Sequence, residues 1–535
     1  MPRGNLWGIK LSIRYGYYLK TLVAHSKREY DRLQTKYENT YQRWRKVIGE
    51  NKNILRKLGR RDDTIAELKR EIKLLKVREA KSIKATSEQQ AEAVNSQKKH
   101  EKIPKHSYSI IQVMLFIELF IAGAIGLRAS SRAMSFSFSA LNKHYSSPHW
   151  KTGSSWAMKV GYYKLHYTKI PRNKAWVWMI DYSIQLGNEK CLVILGIPRS
   201  EIPKDRALSK SDMTMLHMSI MTSSTGEAIY DILTELSKRL KVIPCQIIAD
   251  EGGDLVKGIK LFCANNPKCK HTSDIKHKMA AWCKNNLGKS AQWDTFLKQV
   301  NVSRKQMQQT ALTSLCAPKL RSKARYMNIG ELTKWAHKVL LLIDNGCPNY
   351  DKALVDKYLG WLGDYRKDIS TYMSIHELTG VIDGHIKCNG LMRQTKKLIT
   401  KLLPDDNVLP SLSLKFKSDI LKFITEQTQS IRSGERLVGS TEILESLFSD
   451  LKRISGQHTK SGFTRLVLAL PAFIGKLDEQ IVKDAMSTVR NKDIKEWAKE
   501  NITRSVQSER NQMTKWLKTN YQNADKFSDQ SAKAA

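Results

Sequence analysis

The sequence predicts an α/β fold in which a long helical segment interrupts the order of strands. Two β-rich runs at 176–184 and 191–197 flank a Gly-Asn turn signal, which is the pattern of an antiparallel hairpin. A helix at 225–240 then leads into a third apolar run at 242–250, and this alternation is typical of α/β sheets. From about 291 to 430 the pattern is helical and basic, with no strand run of comparable quality.

The composition favours a large anionic partner. The 535 residues include 91 Lys and Arg against 51 Asp and Glu, which gives a formal net charge of +40. Such an excess fits a polyanion and disfavours small acidic or neutral substrates. Hydrophobic residues make up 41% of the chain, which excludes wholesale disorder. Eight cysteines are too few for a disulfide scaffold, and no secretory signal pattern opens the chain, so we expect a reducing, cytoplasmic location.

Residues 1–105 form a charge-dense arm that predicts a coiled coil. A heptad register fits from Tyr30 to Leu75, with 11 of its 14 a and d positions apolar. A helical hairpin that folds back on itself is the alternative, and Gly59 is the point at which the apolar seam would break.

Residues 106–168 predict a helical DNA-binding domain of the helix-turn-helix type. An apolar helix at 109–126, a short second helix and a third helix near 151–160 follow one another. A helical domain without DNA contacts is the alternative. The residues expected to contact DNA are Arg128, Arg132, Lys151, Ser154, Ser155 and Lys159.

The apolar run at 108–127 is about long enough to cross a membrane. Glu118 near its centre and Gln112 one turn into it would both be costly in lipid. We therefore expect a buried helix and no membrane partner.

Three carboxylates stand out by their position in the pattern. Asp181 lies in the middle of an apolar strand, where an ionised side chain is rarely buried without a partner. Asp250 lies at the carboxyl end of another apolar run, the edge at which α/β sheets bind ligands. Glu445 lies on a helix that starts after Gly439, with Ser440 as the expected N-cap.

Helical geometry selects Glu445 rather than Glu442 as the third acid. The apolar stripe of this helix is formed by Leu444, Leu447, Phe448 and Leu451. Glu445 lies about 110–120° from the centre of that stripe, whereas Glu442 points nearly opposite the core. Lys452 follows Glu445 by two turns and shares its face, so Lys452 and the adjacent Arg453 are expected to contact phosphate beside the site.

The residue types of this set indicate a site for hard cations. Two Asp and one Glu supply oxygen ligands, which suit Mg²⁺ or Mn²⁺. A two-metal site activates one oxygen nucleophile and stabilises the leaving oxygen of a phosphoryl displacement. With so basic a chain, the expected substrate is the phosphodiester backbone of DNA. Ordinary acids of an α/β domain are the alternative.

With this ordered set the chain resembles the DDE transposases of bacterial insertion sequences, which have an RNase H-like catalytic fold. The first Asp lies in WVWMIDYS, the second in IIADEGGDL, and the Glu in GSTEILESLFSDLKR, with a Lys seven residues later. The resemblance implies an RNase H-like mixed sheet, with Asp181, Asp250 and Glu445 as catalytic ligands of Mg²⁺ or Mn²⁺. It also implies double-stranded DNA as substrate (element ends and target), a homodimer or higher oligomer, and association with the bacterial nucleoid.

The spacing of the acids implies a large insertion in that fold. Asp250 and Glu445 are 195 residues apart, much too far for an uninterrupted RNase H-like core. Between them, Asp274-Ile-Lys-His277 resembles the C/D-x-x-H motif of several transposase groups. The motif implies that Asp274 and His277 shape the active site or handle the flanking DNA strand, and a simple helix-surface pair is the alternative.

The predicted function is therefore a DNA transposase that cleaves the ends of its element and joins the 3′-OH to target DNA. An RNase H-like nuclease that cuts without joining, and a catalytically inactive basic DNA-binding protein, are the alternatives. The predicted domains are the arm (1–105), the helix-turn-helix domain (106–168), the first part of the catalytic core (169–290), the helical insertion (291–430), the second part of the core with the Glu helix (431–476) and a basic helical tail (477–535).

Two other cofactor patterns are weak. Cys263, Cys269, His271 and Cys283 have a spacing that fits no standard zinc finger, so plain cysteines are favoured over a zinc site. No GxxxxGK[ST] sequence occurs, so an ATP-driven mechanism has no support in the chain.

Overall fold

The computed structural model describes most of the chain beyond the N-terminal arm. The described residues are 102–104, 106–140, 146–184, 189–319, 329–456, 462–502 and 508–520. The predicted coiled coil in 1–105 and the turn at Gly187 and Asn188 lie outside them.

Three helices precede the sheet: α1 (Ile110–Ile121), α2 (Leu127–Ala140) and α3 (Trp150–His166). A capping box starts α1, in which the Gln112 side chain accepts from the Ser109 backbone N–H at 2.9 Å. This helix is buried on one side, as predicted. Within the described ranges, no helix has the length and apolar character needed to cross a membrane.

The sheet is mixed and has five strands. They are β1 (Trp176–Ile184), β2 (Lys190–Pro198), β3 (Thr214–Met221), β4 (Gln246–Ala249) and β5 (Lys270–Ser273), in the order β3-β2-β1-β4-β5. β1, β2 and β3 pair antiparallel, which confirms the predicted hairpin, and β4 and β5 continue the sheet parallel to β1. The α/β class is therefore confirmed, whereas β3 and β5 had no strong signal in the sequence.

The two faces of the sheet are covered by different helices. Side chains alternate between faces along a strand. Trp176, Trp178 and Ile180 pack against α4 (Gly226–Leu240) and α5 (Gly253–Asn265). The intervening residues of β1 lie on the opposite face, whose core includes α1, α2 and α3.

A helical insertion with its own core follows β5. Its helices are α6 (Ile275–Asn286), α7 (Ala291–Met307), α8 (Ile329–Asp344), α9 (Lys352–Leu359), α10 (Arg366–Asn389), α11 (Thr395–Leu402) and α12 (Ser411–Thr428). The hydrophobic cluster of this insertion runs from Ile275 to Leu437, so α6 packs with the helices of the insertion although it precedes residue 291.

The chain then returns to the sheet through α13 (Glu442–Ser455), a 3₁₀ segment (Arg465–Phe473), α14 (Glu479–Thr488) and α15 (Asn491–Asn501). The N-cap of α13 is Thr441, not the expected Ser440. Val482 of α14 and Trp497 of α15 are buried in the same cluster as α1, α2 and α3. This part of the predicted tail is therefore core, because its apolar side chains cover the N-terminal helices.

The same packing overturns the expected orientation of the third N-terminal helix. Lys159 is only 8% exposed, and the Ser155 hydroxyl donates to the side-chain carbonyl of Asn491 on α15 at 3.1 Å. The helix α3 packs against the 3₁₀ segment, α14 and α15, so Lys159 faces the protein and not a DNA groove, and the half-buried Ser155 is engaged by α15. Ser154 is half-buried, whereas Lys151 at the start of α3 is exposed.

We expect Gly161→Ala to destabilise the fold, because α3 and the 3₁₀ segment approach most closely at this glycine. An added Cβ would lie 1.8 Å from the carbonyl oxygen of Leu468. Relief of that overlap should cost about 1–3 kcal/mol of unfolding free energy, measured by denaturant or thermal unfolding. Gly380→Ala is the control. It lies exposed on α10 with no atom within 4 Å of an added Cβ, and should stabilise by about 0.5–1 kcal/mol. Equal effects of the two changes would contradict this account of the packing.

Candidate active site

Asp181 on β1 and Asp250, directly after β4, follow neighbouring positions of two parallel strands. In the register of β1 and β4, Ile180 pairs with Ala249, and the next residue along the chain is one of the two acids in each case. Met179 and Ile248, two residues earlier on each strand, are both buried in the core on the α13 side of the sheet. By alternation, both carboxylates are directed to that side.

Each of these carboxylates accepts a backbone hydrogen bond. The Tyr182 N–H donates to Oδ1 of Asp181 at 2.7 Å, and the Gly252 N–H donates to Oδ1 of Asp250 at 3.0 Å. Burial, followed by the negative charge of Asp250, raises the pKa of Asp181 to about 7. The pair therefore carries closely spaced negative charge that the backbone donors only partly offset.

Glu445 approaches this pair from α13 but is held by two basic side chains. Its charge contributes to the raised pKa of Asp181. Oε2 of Glu445 lies 3.0 Å from Nζ of Lys276, and Oε1 lies 3.8 Å from Nε2 of His277. In the part of the chain that the structure describes, no three His, Cys, Asp or Glu side chains are arranged to hold a metal ion. The three acids share one electrostatic neighbourhood, with Glu445 turned towards Lys276.

Asp274 is the buried centre that positions this arrangement. Its side chain is 1% exposed and caps α6 by accepting from the His277 backbone N–H at 2.9 Å. Its other oxygen accepts from the backbone N–H and the hydroxyl of Thr441, at 2.5 and 2.8 Å. Asp274 thereby fixes the start of α6 and the start of α13 to each other. It is a buried N-cap rather than part of a helix-surface pair.

His277 is a cation between two carboxylates. Nδ1 lies 3.3 Å from Oδ1 of Asp274, and Nε2 faces Glu445. Burial lowers the pKa of His277, but the hydrogen bond and charge of Asp274 and the charge of Glu445 outweigh it and raise the pKa to about 9. In return, burial would raise the pKa of Asp274, yet the hydrogen bond and charge of His277 hold it below its usual value. At neutral pH His277 is therefore protonated.

A second set of ion pairs connects the Glu helix to the insertion. Nζ of Lys387 on α10 lies 2.7 Å from Glu442 and 2.7 Å from Asp383. Lys276 lies 3.7 Å from the same Glu442 while it holds Glu445. The first turn of α13 is thus fixed by cations from both α6 and α10.

Two residues near the site, Asp254 and Lys276, were not predicted from the sequence. The phenol of Tyr182 donates to Asp254 at 2.8 Å, and Ser224 and Lys190 also contact this carboxylate. These hydrogen bonds hold the pKa of Asp254 below its usual value although burial would raise it. The signal was an acid four residues after Asp250, at the second position of α5. Lys276 was visible between Asp274 and His277.

The other residues predicted to contact DNA differ in their exposure. Lys452, Arg128, Arg132 and Lys151 are exposed. Arg453 stacks over the ring of Phe120, 5.6 Å from its centroid, and donates to that residue's carbonyl oxygen at 3.3 Å. Its guanidinium is engaged inside the protein, which is contrary to the expected phosphate contact.

The four residues considered for zinc do not converge. Cys269 is buried in the core under α4 and α5, whereas Cys283 is buried in the insertion core.

No family model matches the chain, and no curated protein matches it closely enough to indicate a relationship.

Asp181→Asn should stabilise the protein above pH 7 in metal-free buffer. The unfolded pKa of an Asp is about 3.9. Because the folded pKa is about 7, the folded state binds more protons between these values and loses stability as pH rises through them. The amide removes this cost, so we expect a gain on the order of 4 kcal/mol at pH 8 that disappears near pH 4. Thermal unfolding in EDTA across this range measures it.

Asp254→Asn is the matched control for that experiment. Its folded pKa is lowered, so the charged carboxylate contributes stability above the unfolded pKa that is lost on acidification. We therefore expect this variant to be destabilised at pH 8, the opposite sign. A gain for Asp254→Asn, or a loss for Asp181→Asn at pH 8, would contradict the assigned electrostatics.

Histidine NMR titration should give His277 a pKa of about 9, and Asp274→Asn should bring it down towards 6.5 or below. Removal of the negative partner leaves burial as the main influence on the imidazole. His217 is an internal reference, because its burial lowers its pKa to about 4 independently of Asp274. A wild-type value near 6.5 would show that Asp274 does not charge His277.

Proposed function

We propose that the chain is a DDE transposase that cleaves the ends of a DNA element and joins them to target DNA. The observation that carries the proposal is the placement of Asp181 on β1 beside Asp250, which directly follows the paired parallel strand β4. Glu445 is brought to their neighbourhood from a helix that follows a large insertion. This order of acids is the one on which the resemblance rests.

We further propose that the catalytic core is RNase H-like. The strand order β3-β2-β1-β4-β5, with three antiparallel strands followed by two parallel ones, supports this assignment. So does the location of the insertion, which separates β5 from α13, and the packing of α13 on the face of the sheet that carries Met179 and Ile248.

The donor chemistry of the acids fits a divalent cation. Asp181 and Asp250 supply oxygen ligands, and burial together with the negative charge of Asp250 raises the pKa of Asp181, a cost that a cation would offset. We propose that these two residues hold Mg²⁺ or Mn²⁺ together with Glu445 once it is released from Lys276. The chemistry that such an ion supplies when bound is compensation of charge on the attacking and leaving oxygens.

The residues around the acids have a separate task in this proposal. Lys276 and protonated His277 compensate Glu445 and keep α13 beside the strand ends. Lys452 lies exposed two turns further along α13, about 10 Å along its axis, where it would contact DNA phosphate. The net charge of +40 supports a phosphodiester polymer as the substrate.

Glu445→Gln should reduce strand cleavage and joining about a thousandfold or more, because the amide removes a charged oxygen ligand. The assay uses a labelled duplex with the ends of the chain's own genomic element, Mg²⁺ or Mn²⁺, and a denaturing gel. Glu442→Gln is the control on the same helix. It makes the same chemical change but faces Lys387, so its activity should stay within about threefold of wild type.

The products decide between the proposal and its alternatives. Joined products that are absent with Glu445→Gln support the transposase. Nicks without joining favour a nuclease, and tight binding without either product favours an inactive DNA-binding protein. Asp181→Asn should lose cleavage while retaining near wild-type DNA affinity, and loss of both would contradict a purely catalytic role.

A further inference from the structure

The outward face of α2 is the most distinctive exposed surface near the N-terminus of the described chain. Arg128, Arg132 and Phe136 are spaced by four residues, so they are neighbours on one side of the helix. All three are exposed, and Phe136, at 72%, is the most exposed large apolar side chain among the described residues. Serines occupy much of the remaining surface. The opposite side of α2, with Met134 and Phe138, is buried.

This face lies in a segment without negative charge. The 62 residues from Leu119 to Ile180 contain nine Lys or Arg and no Asp or Glu. Surface Lys and Arg are usually interspersed with acids, and a single-sign field of this extent attracts polyanions. Helix stability does not explain Arg128, because a cation in the first turn is opposed by the helix dipole.

The basic face is also held in place. The guanidinium of Arg128 lies 5.1 Å from the centroid of the Trp150 ring, and Nζ of Lys151 lies 5.8 Å from the same centroid. The hydroxyl of Ser131 donates to the carbonyl of Pro148 at 2.6 Å, which ties α2 to the start of α3. Arg128 and Lys151 therefore flank one indole, and less side-chain entropy is lost when they contact a ligand.

The Glu helix contacts the end of α1, the helix that leads into α2. Arg453, at the carboxyl end of the Glu helix, donates to the carbonyl of Phe120 near the end of α1. Leu127, seven residues later, starts α2. Lys452, the neighbour of Arg453 in the chain, adds an exposed basic side chain on the Glu helix.

We infer that α2, rather than α3, is the helix that contacts duplex DNA. Arg128, Arg132 and Lys151 contact phosphates, and Phe136 makes the apolar contact that side chains such as Phe make with thymine methyl groups in the major groove. The choice of DNA as occupant rests on the proposed function. The binding surface itself does not depend on whether the carboxylates are catalytic.

Fluorescence anisotropy with a labelled 30-base-pair random-sequence duplex in EDTA tests this inference without cleavage. Arg128→Gln/Arg132→Gln should weaken binding about tenfold or more and make the slope of log K against log salt shallower by about 2. Lys334→Gln/Lys338→Gln is the matched control. It removes the same charge at the same spacing from an exposed face of α8, and should change affinity less than twofold.

A second pair of variants tests the apolar contact. Phe136→Ser should weaken binding about threefold with an unchanged salt slope. Leu402→Ser on α11, which is 57% exposed, should leave binding unchanged. Unfolding midpoints near wild type establish that each variant is folded.

Equal losses in the two double variants would mean that only net charge matters and would overturn the inference. Unchanged duplex affinity of the α2 variant would also overturn it, and a simultaneous change in sedimentation would assign the face to a second copy of the chain. If the α2 double variant loses duplex affinity as expected but the wild-type protein forms no metal-dependent products, the catalytic proposal is rejected and the inference about α2 stands.

Discussion

The arrangement of the site depends on a buried carboxylate that joins two segments 167 residues apart. Asp274 takes two hydrogen bonds from Thr441 and caps α6 at the same time. A buried charge without such donors would cost several kcal/mol, so the ends of the insertion have to meet. The Gln246 side chain repeats the connection, because it donates to the carbonyl of Val438 at 2.6 Å and accepts from its N–H at 2.9 Å.

This junction sets the electrostatics of the candidate site. Once Thr441 is fixed, the first turn of α13 places Glu445 beside Lys276 and His277. His277 is charged because Asp274 lies on its other side, and Asp181 is hard to ionise because it is buried beside Asp250. The positive charges of Lys276 and His277 therefore compensate Glu445, whereas Asp181 and Asp250 have less positive charge near them. If a divalent cation binds as proposed, this contrast favours Asp181 and Asp250 over Glu445 as its first ligands.

Much of the site was visible in the sequence. A carboxylate inside an apolar strand and another at the end of a second strand have few structural explanations, so Asp181 and Asp250 could be chosen by position. Glu445 followed from helical periodicity. Asp254 and Lys276 were missed, because their importance comes from contacts with Tyr182 and Glu445 that no spacing rule encodes. The strand β5, of four residues, was missed because all four of its side chains are polar.

By itself the sequence determined the α/β class, the helical insertion and the positions of the acids, because apolar periodicity and buried charge are local signals. Only the tertiary structure decided which helix faces outward. The pattern of α3 resembles a recognition helix, yet α14 and α15, more than 300 residues later, pack against it and hydrogen-bond Tyr163 and Ser155. Of the three N-terminal helices, α2 is the one that keeps two arginines exposed. Such long-range packing depends on which apolar surfaces find each other, and the local pattern of either helix does not contain it.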